Sequence, residues 1–161
     1  MSKLQLKKEL MQMDKDQLIS LILESYSAKK EIKEYFDFYT NPDVKALREK
    51  FELKAKKELL RVKRGSYSKA RISVLRKLIK EFDAFSPGYE AMITLRLNIV
   101  EMTLTVESHT YMSPALLEGI AQIARDMIIM ANQNQIADIV LIRVDEMLSD
   151  ERKGSRYFRS L

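Results

Sequence analysis

A chain of 161 residues, 46% apolar and 32% charged, has enough hydrophobic material for a packed core, which excludes a wholly disordered protein. It contains no Cys and a single His, so disulfide frameworks, thiolate zinc sites and Cys nucleophiles are excluded. The formal net charge of +5 conceals a division: residues 45–80 carry fourteen Lys and Arg against three Glu, net +11, whereas residues 81–150 carry three Arg against eleven Asp and Glu, net −8.

From the N-terminus, MSKLQLKKELMQMDK alternates Lys with Leu and Met without the unbroken apolar run of a signal peptide, and with the absence of Cys this points to the cytoplasm. Ser2 with Gln5, and Asp14 with Gln17, have capping-box spacing, and Met13 is placed to staple onto Leu18, so helices are expected after Ser2 and Asp14. Tyr35-Phe36-Asp37-Phe38-Tyr39 places Ile32, Tyr35, Phe36 and Tyr39 on one helical face; this cluster is read as core, the alternative being a ligand or partner groove.

Asn41-Pro42, Ser86-Pro87 and Ser113-Pro114 each put a capping residue before a proline, and predict three further helix starts. After Pro42, Val44, Leu47, Phe51, Ala55, Leu59 and Val62 form one apolar stripe that Gly65 is placed to end. A second helix is predicted from Ser68, with Val74, Leu75, Leu78, Ile79, Phe82 and Phe85 on its apolar side. The run from Ala91 to Glu107 is two-sided: Ile93, Leu95, Leu97 and Ile99 alternate as in a strand, yet Met92, Leu95, Ile99, Met102 and Val106 also fit one helical face. No turn residue breaks it, so it is read as a helix buried almost all round. Arg96, Asn98 and Glu101 interrupt it, leaving nothing long and apolar enough for a bilayer span. Leu116, Ile120, Ile123, Met127 and Ala131, then Ile136, Ile139, Val140, Val144 and Met147, complete the pattern.

The expectation is a single all-α domain over residues 1–150, about eight antiparallel helices forming a bundle or a short α-hairpin superhelix, with a tail over 151–161. The second-half Met residues, including Met92, Met102, Met127, Met130 and Met147, are read as adaptable core.

Within the basic block, Lys50, Lys54, Lys57 and Arg61 share a stripe about 110° around the helix from its apolar side. The stripe leads into a donor-rich connection holding Lys63, Arg64, Tyr67, Lys69 and Arg71, and the next helix adds Arg76, Lys77 and Lys80. The ordinary reading is a solvated surface, or one paired with the acidic half. The functional reading is a site for nucleic acid or another polyanion, with Tyr67 available to stack on an unpaired base. An acidic protein partner or a homo-oligomer that joins basic to acidic halves is the alternative.

His109 sits in Glu107-Ser-His109-Thr-Tyr111 and reads as a helix-end residue, since one His without Cys builds no usual zinc site and no nucleophile-elbow pattern is present. Both Gly-rich nucleotide-binding loops are also missing. No metal or cofactor is expected, and a binding module is expected rather than an enzyme.

Leu6-Lys-Lys-Glu-Leu10, Gln17-Leu18, the stretch from Lys33 to Pro42 and Ala70-Arg-Ile-Ser-Val-Leu-Arg-Lys-Leu-Ile-Lys-Glu-Phe82 resemble a family of uncharacterised bacterial helical proteins, a domain of unknown function. The resemblance covers residues 4–85 well and the later part more loosely. It implies an all-helical bacterial cytoplasmic protein with a basic connection where Arg61–Arg71 stands here, and it transfers no activity or catalytic residue.

Overall fold

The helices begin where short polar side chains take up the free N–H groups of a first turn. In the computed structural model, which describes residues 2–63 and 67–149 apart from the side chains of Val62, Lys63, Tyr67, Ile139 and Leu148, Ser2 opens α1 (Lys3–Leu10) and Asp14 opens α2 (Lys15–Ala28). Both are capping boxes. Gln5 N–H donates to Ser2 Oγ at 3.2 Å while Ser2 N–H donates to Gln5 Oε1 at 2.9 Å, and Gln17 and Asp14 repeat the exchange at 2.8 and 3.1 Å. Lys29 alone, extended at φ −138°, separates α2 from α3 (Lys30–Thr40). Tyr26 Oη donates to Asp37 Oδ1 at 2.7 Å and fastens the two helices.

The described chain divides into two compact units, Met1–Pro42 and Asp43–Leu161, a division the reading of one domain over 1–150 does not draw. The expected tail lies outside the described residues. In the first unit no residue of α1, α2 or α3 is buried. The aromatic cluster read as core is therefore not core: Phe36 and Phe38 are half-buried, while Tyr35 and Tyr39 are exposed. An apolar helical face needs an opposing surface, and the three helices do not supply enough of one.

The second unit is built on α4 (Val44–Leu59), α5 (Ile72–Asp83), α6 (Tyr89–Glu107), α7 (Pro114–Gln133) and α8 (Ala137–Ser149). The described residues are thus all-α in class, with eight helices and one two-residue antiparallel ladder, β1 (Val62–Lys63) on β2 (Tyr67–Ser68), in the connection read as a basic loop. None of these helices is long and apolar enough to cross a membrane. α6 is central, packed by α4, α5, α7 and α8. Only Tyr89, Glu90 and Thr105 of its residues are exposed, and Leu95 and Ile99 are wholly buried. The helical reading of the two-sided run holds because neighbours cover most of its circumference, leaving one stripe through Glu90, Thr94, Asn98, Glu101 and Thr105 exposed or half-buried, so the alternation carries little face information.

The predicted stripes are the buried ones: Leu47, Phe51, Ala55 and Leu59 on α4, Leu75, Leu78, Ile79 and Phe82 on α5, and Leu116, Ile120, Ile123, Met127 and Ala131 on α7. Phe51 meets Phe82 edge-on at 5.4 Å between ring centres, joining α4 to α5.

Of the three proline signals, only Ser113-Pro114 marks a helix start as expected, with Ser113 Oγ accepting from Leu116 N–H. α4 begins two residues after Pro42, because Asp43 is the cap, its Oδ1 accepting from Ala46 N–H at 2.9 Å. α6 begins after Gly88 rather than at Pro87. Ser86 (φ 53°) and Gly88 (φ 95°) are both left-handed, and the turn they make leaves Pro87 outside the helix. α4 ends at Leu59, ahead of Gly65, which lies outside the described residues. α5 starts at Ile72 rather than near Ser68, because Ser68 is held in the ladder and its N–H donates to Tyr111 O at 2.9 Å.

Gly119 lets α7 approach α5, since a Cβ there would lie 2.4 Å from Ile72 Cγ1. Overpacking of this kind costs about 1–3 kcal/mol, against a gain of about 1 kcal/mol from helix propensity. Gly119→Ala is therefore expected to lower unfolding free energy in urea by about 1 kcal/mol. In an Ile72→Ala background the same substitution should be neutral or stabilising.

Candidate polyanion-binding surface

The basic candidates lie on α4 and on the connection that leads from it to α5, all within the second unit. Lys50, Lys54 and Lys57 are exposed on α4. The Lys54 ammonium sits 4.6 Å from the centre of the Phe51 ring, a cation–π contact that settles its stem without removing its charge from solvent. Lys69 is exposed ahead of α5, and Arg76 and Lys80 are exposed on α5 itself. The side chains of Lys63 and Tyr67, and all of Arg64, lie outside the described residues.

Arg61 and Arg71 are not independent donors. Both reach Glu58, an acid that is only 7% exposed at the end of α4. Arg71 Nε donates to Glu58 Oε1 at 3.0 Å, its backbone N–H donates to the same oxygen at 3.0 Å, and Arg61 Nη1 donates to Oε2 at 3.2 Å. A buried carboxylate with unused lone pairs is costly, so two guanidinium groups and a backbone N–H converge on it. Burial pushes the Glu58 carboxyl up, but the hydrogen bonds from Arg71 and Arg61 and the Arg61 charge overcome it and hold the group below the usual glutamate range. Arg71 is raised in return by the Glu58 hydrogen bond. Glu58 thus closes the connection between α4 and α5.

Other ion pairs in the second unit fall within one helix or join two. Arg48 takes Glu52 and Lys77 takes Glu81, each one helical turn away, while Arg96, Arg125 and Arg143 take Asp83, Glu118 and Glu101 of the acidic half. Lys54, Lys57, Lys69, Arg76 and Lys80 hold no ion pair among the described residues. Arg76 and Lys80 also edge a cleft of about 260 Å³ shared with Asp83, Arg96 and Asp126, where three cations meet two carboxylates.

Sequence reasoning missed Glu58. Its i, i+3 relation to Arg61 is a usable signal, but Arg71 stands thirteen residues away and is joined only by folding. His109 is exposed just beyond α6, its N–H donating to Val106 O at 3.1 Å. No group of three or more His, Cys, Asp or Glu among the described residues is placed to hold a metal ion.

The fold defines an all-α protein, with Lys50, Lys54, Lys57 and Lys69 exposed on α4 and on the connection that leads to α5. The chain belongs to the family described as "Family of unknown function (DUF6155)", which it matches over residues 1–153. The match takes in the later half that resembles the family more loosely. No curated protein and no solved structure matches the chain.

Removing the Glu58 charge should loosen this connection. Glu58→Gln is expected to cost about 1–2 kcal/mol, reduced from the full value of charged hydrogen bonds because Arg61 and Arg71 remain partly hydrated. Since the folded carboxyl lies below its unfolded value of about 4.3, its contribution is complete above that pH and is lost as pH falls through the lower folded value. Urea titrations of wild type and Glu58→Gln should therefore converge as the pH is lowered from about 6 to about 3.

Proposed function

We propose that the protein is a binding module that takes nucleic acid, RNA or DNA, weakly through the lysines of α4 and of the connection that leads to α5. The observation that carries this reading is that Lys54, Lys57 and Lys69 are exposed without an ion pair among the described residues, although the chain holds a net −8 segment able to neutralise them. Lysines kept clear of intramolecular carboxylates offer point charges to phosphate oxygens, which gives affinity without sequence preference. Arg61 and Arg71 have a different part here: Glu58 occupies several of their donors, so they shape the connection and add less to binding than their charge implies. A cytoplasmic location, in keeping with a chain free of Cys, would place this surface among nucleic acids. No catalytic role is assigned to His109, which is exposed beyond α6.

Fluorescence anisotropy with labelled single- and double-stranded oligonucleotides tests the reading. Binding should weaken steeply with salt, and Lys54→Ala, Lys57→Ala and Lys69→Ala together should reduce affinity at least about tenfold and lower the salt slope by about 3. Arg61→Ala should have the smaller effect. Absence of binding at low salt, or a triple variant that binds like wild type, refutes it.

A further inference from the structure

The stripe of α6 that its neighbours leave exposed or half-buried, Glu90, Thr94, Asn98, Glu101 and Thr105, borders a cleft. This cleft of about 340 Å³ runs between α6 and α8, wholly within the second unit. Its volume is at the small end of the range for small-molecule sites. Ile93 and Leu97 of α6, with Ile136 and Val140 on the α8 side, make the walls apolar, while Glu90, Thr94, Asn98 and Arg143 supply the polar groups. Such a lining suits a ligand with an apolar body and a polar end.

Hydrogen bonds already made within the protein decide the character of that end. Thr94 Oγ1 donates to Glu90 O at 2.8 Å, so its single donor is spent and its lone pairs remain. Asn98 Nδ2 donates to Glu52 Oε1 of α4 at 2.6 Å, which fixes Asn98 Oδ1 as an acceptor. Glu90 adds an exposed carboxylate that holds no ion pair among the described residues. Arg143 is the one cation of the lining, and Glu101 holds it at 3.6 Å. Glu101 lies about 16 Å from Glu90 along the helix axis, so the paired guanidinium and the unpaired carboxylate belong to opposite ends of the stripe. We infer that the cleft binds a small organic cation, an alkyl or aryl primary amine. Its ammonium is held by Glu90 and by the Thr94 hydroxyl one turn on, and its carbon body lies between the α6 and α8 walls. A carboxylate in the same place would face the Glu90 charge and the Thr94 lone pairs. The inference concerns ligands of the opposite charge to nucleic acid and is independent of that reading.

Titration of the full chain with hexylamine, hexanol and hexanoate, followed by nitrogen–proton correlation NMR, separates charge from chain, since the three probes share one alkyl body. At about pH 7 the amine is a cation and the acid an anion. Hexylamine should bind in about the millimolar range, more tightly than the other two, and move the amide signals of residues 90–98 and 136–143. Glu90→Gln should weaken hexylamine about threefold to tenfold, as for one partly hydrated ion pair, and leave hexanol unchanged. Glu146→Gln removes an exposed carboxylate of α8 outside the cleft and should change neither. Thr94→Phe, at a half-buried position of the wall, should fill the cleft and abolish the hexylamine shifts while helical circular dichroism is kept. No shifts at about 10 mM hexylamine, or a response that Glu90→Gln leaves intact, overturns the inference. Hexanoate binding as tightly as hexylamine, with shifts centred on Arg143, also overturns it and makes the cleft an anion site.

Discussion

The near-complete burial of α6 is the constraint on which the rest of the second unit depends. A helix covered over most of its circumference needs neighbours on several sides, and α4, α5, α7 and α8 are held in place by that need. Each fully buried Leu or Ile contributes about 1.5–3 kcal/mol relative to exposure, so Leu95, Ile99 and Leu104 together outweigh any surface ion pair in the chain. The same burial dictates how polar groups in α6 are treated. Thr103 Oγ1 donates to Ile99 O at 2.7 Å, inside its own helix. Arg96 cannot be hydrated there, and it divides its donors between Asp83 of α5 and Met92 O. Asn98 likewise donates to Glu52 of α4 at 2.6 Å. Each polar residue that α6 buries thereby becomes a specific tie, internal or to a named neighbour.

With α6 holding the core, the outward faces of α4 and α5 are free of packing duty. Their apolar stripes turn inward, and Lys54, Lys57 and Lys80 on the outer faces hold no ion pair among the described residues. Glu58 is the exception on that side, because it is buried under charges instead of under apolar atoms. It sets Arg61 and Arg71, engaged in closing a connection, apart from Lys54, Lys57 and Lys69, which are exposed at the surface. Net charge alone does not make that separation.

Periodicity located the helices of the second unit, because each apolar stripe faces a single continuous core. Capping chemistry was legible where the cap and its partner are close in sequence, as at Ser2, Asp14 and Ser113. It misled at Pro42 and Pro87, where a competing residue nearby, Asp43 or Gly88, better suits the backbone turn. The Glu58 site was not legible, since Arg71 meets it only after β1 and β2 have reversed the chain. The aromatic cluster at 35–39 failed for a different reason. Its pattern is a true amphipathic face, but a pattern states which side seeks cover and says nothing of whether the chain provides it.

The strand-like alternation from Ile93 to Ile99 has a consequence once the folded state is left behind. Short stretches rich in β-branched residues with little charge stack readily into fibrils when exposed. While α4 and α7 stay docked this stretch is sealed, but any opening of the unit releases it. Arg96 then matters a second time: parted from Asp83, it sets a positive charge at the centre of the seven residues and repels its counterpart in every stacked neighbour. One guanidinium, costly to bury and neutralised in the native helix, serves as the gatekeeper of the unfolded chain.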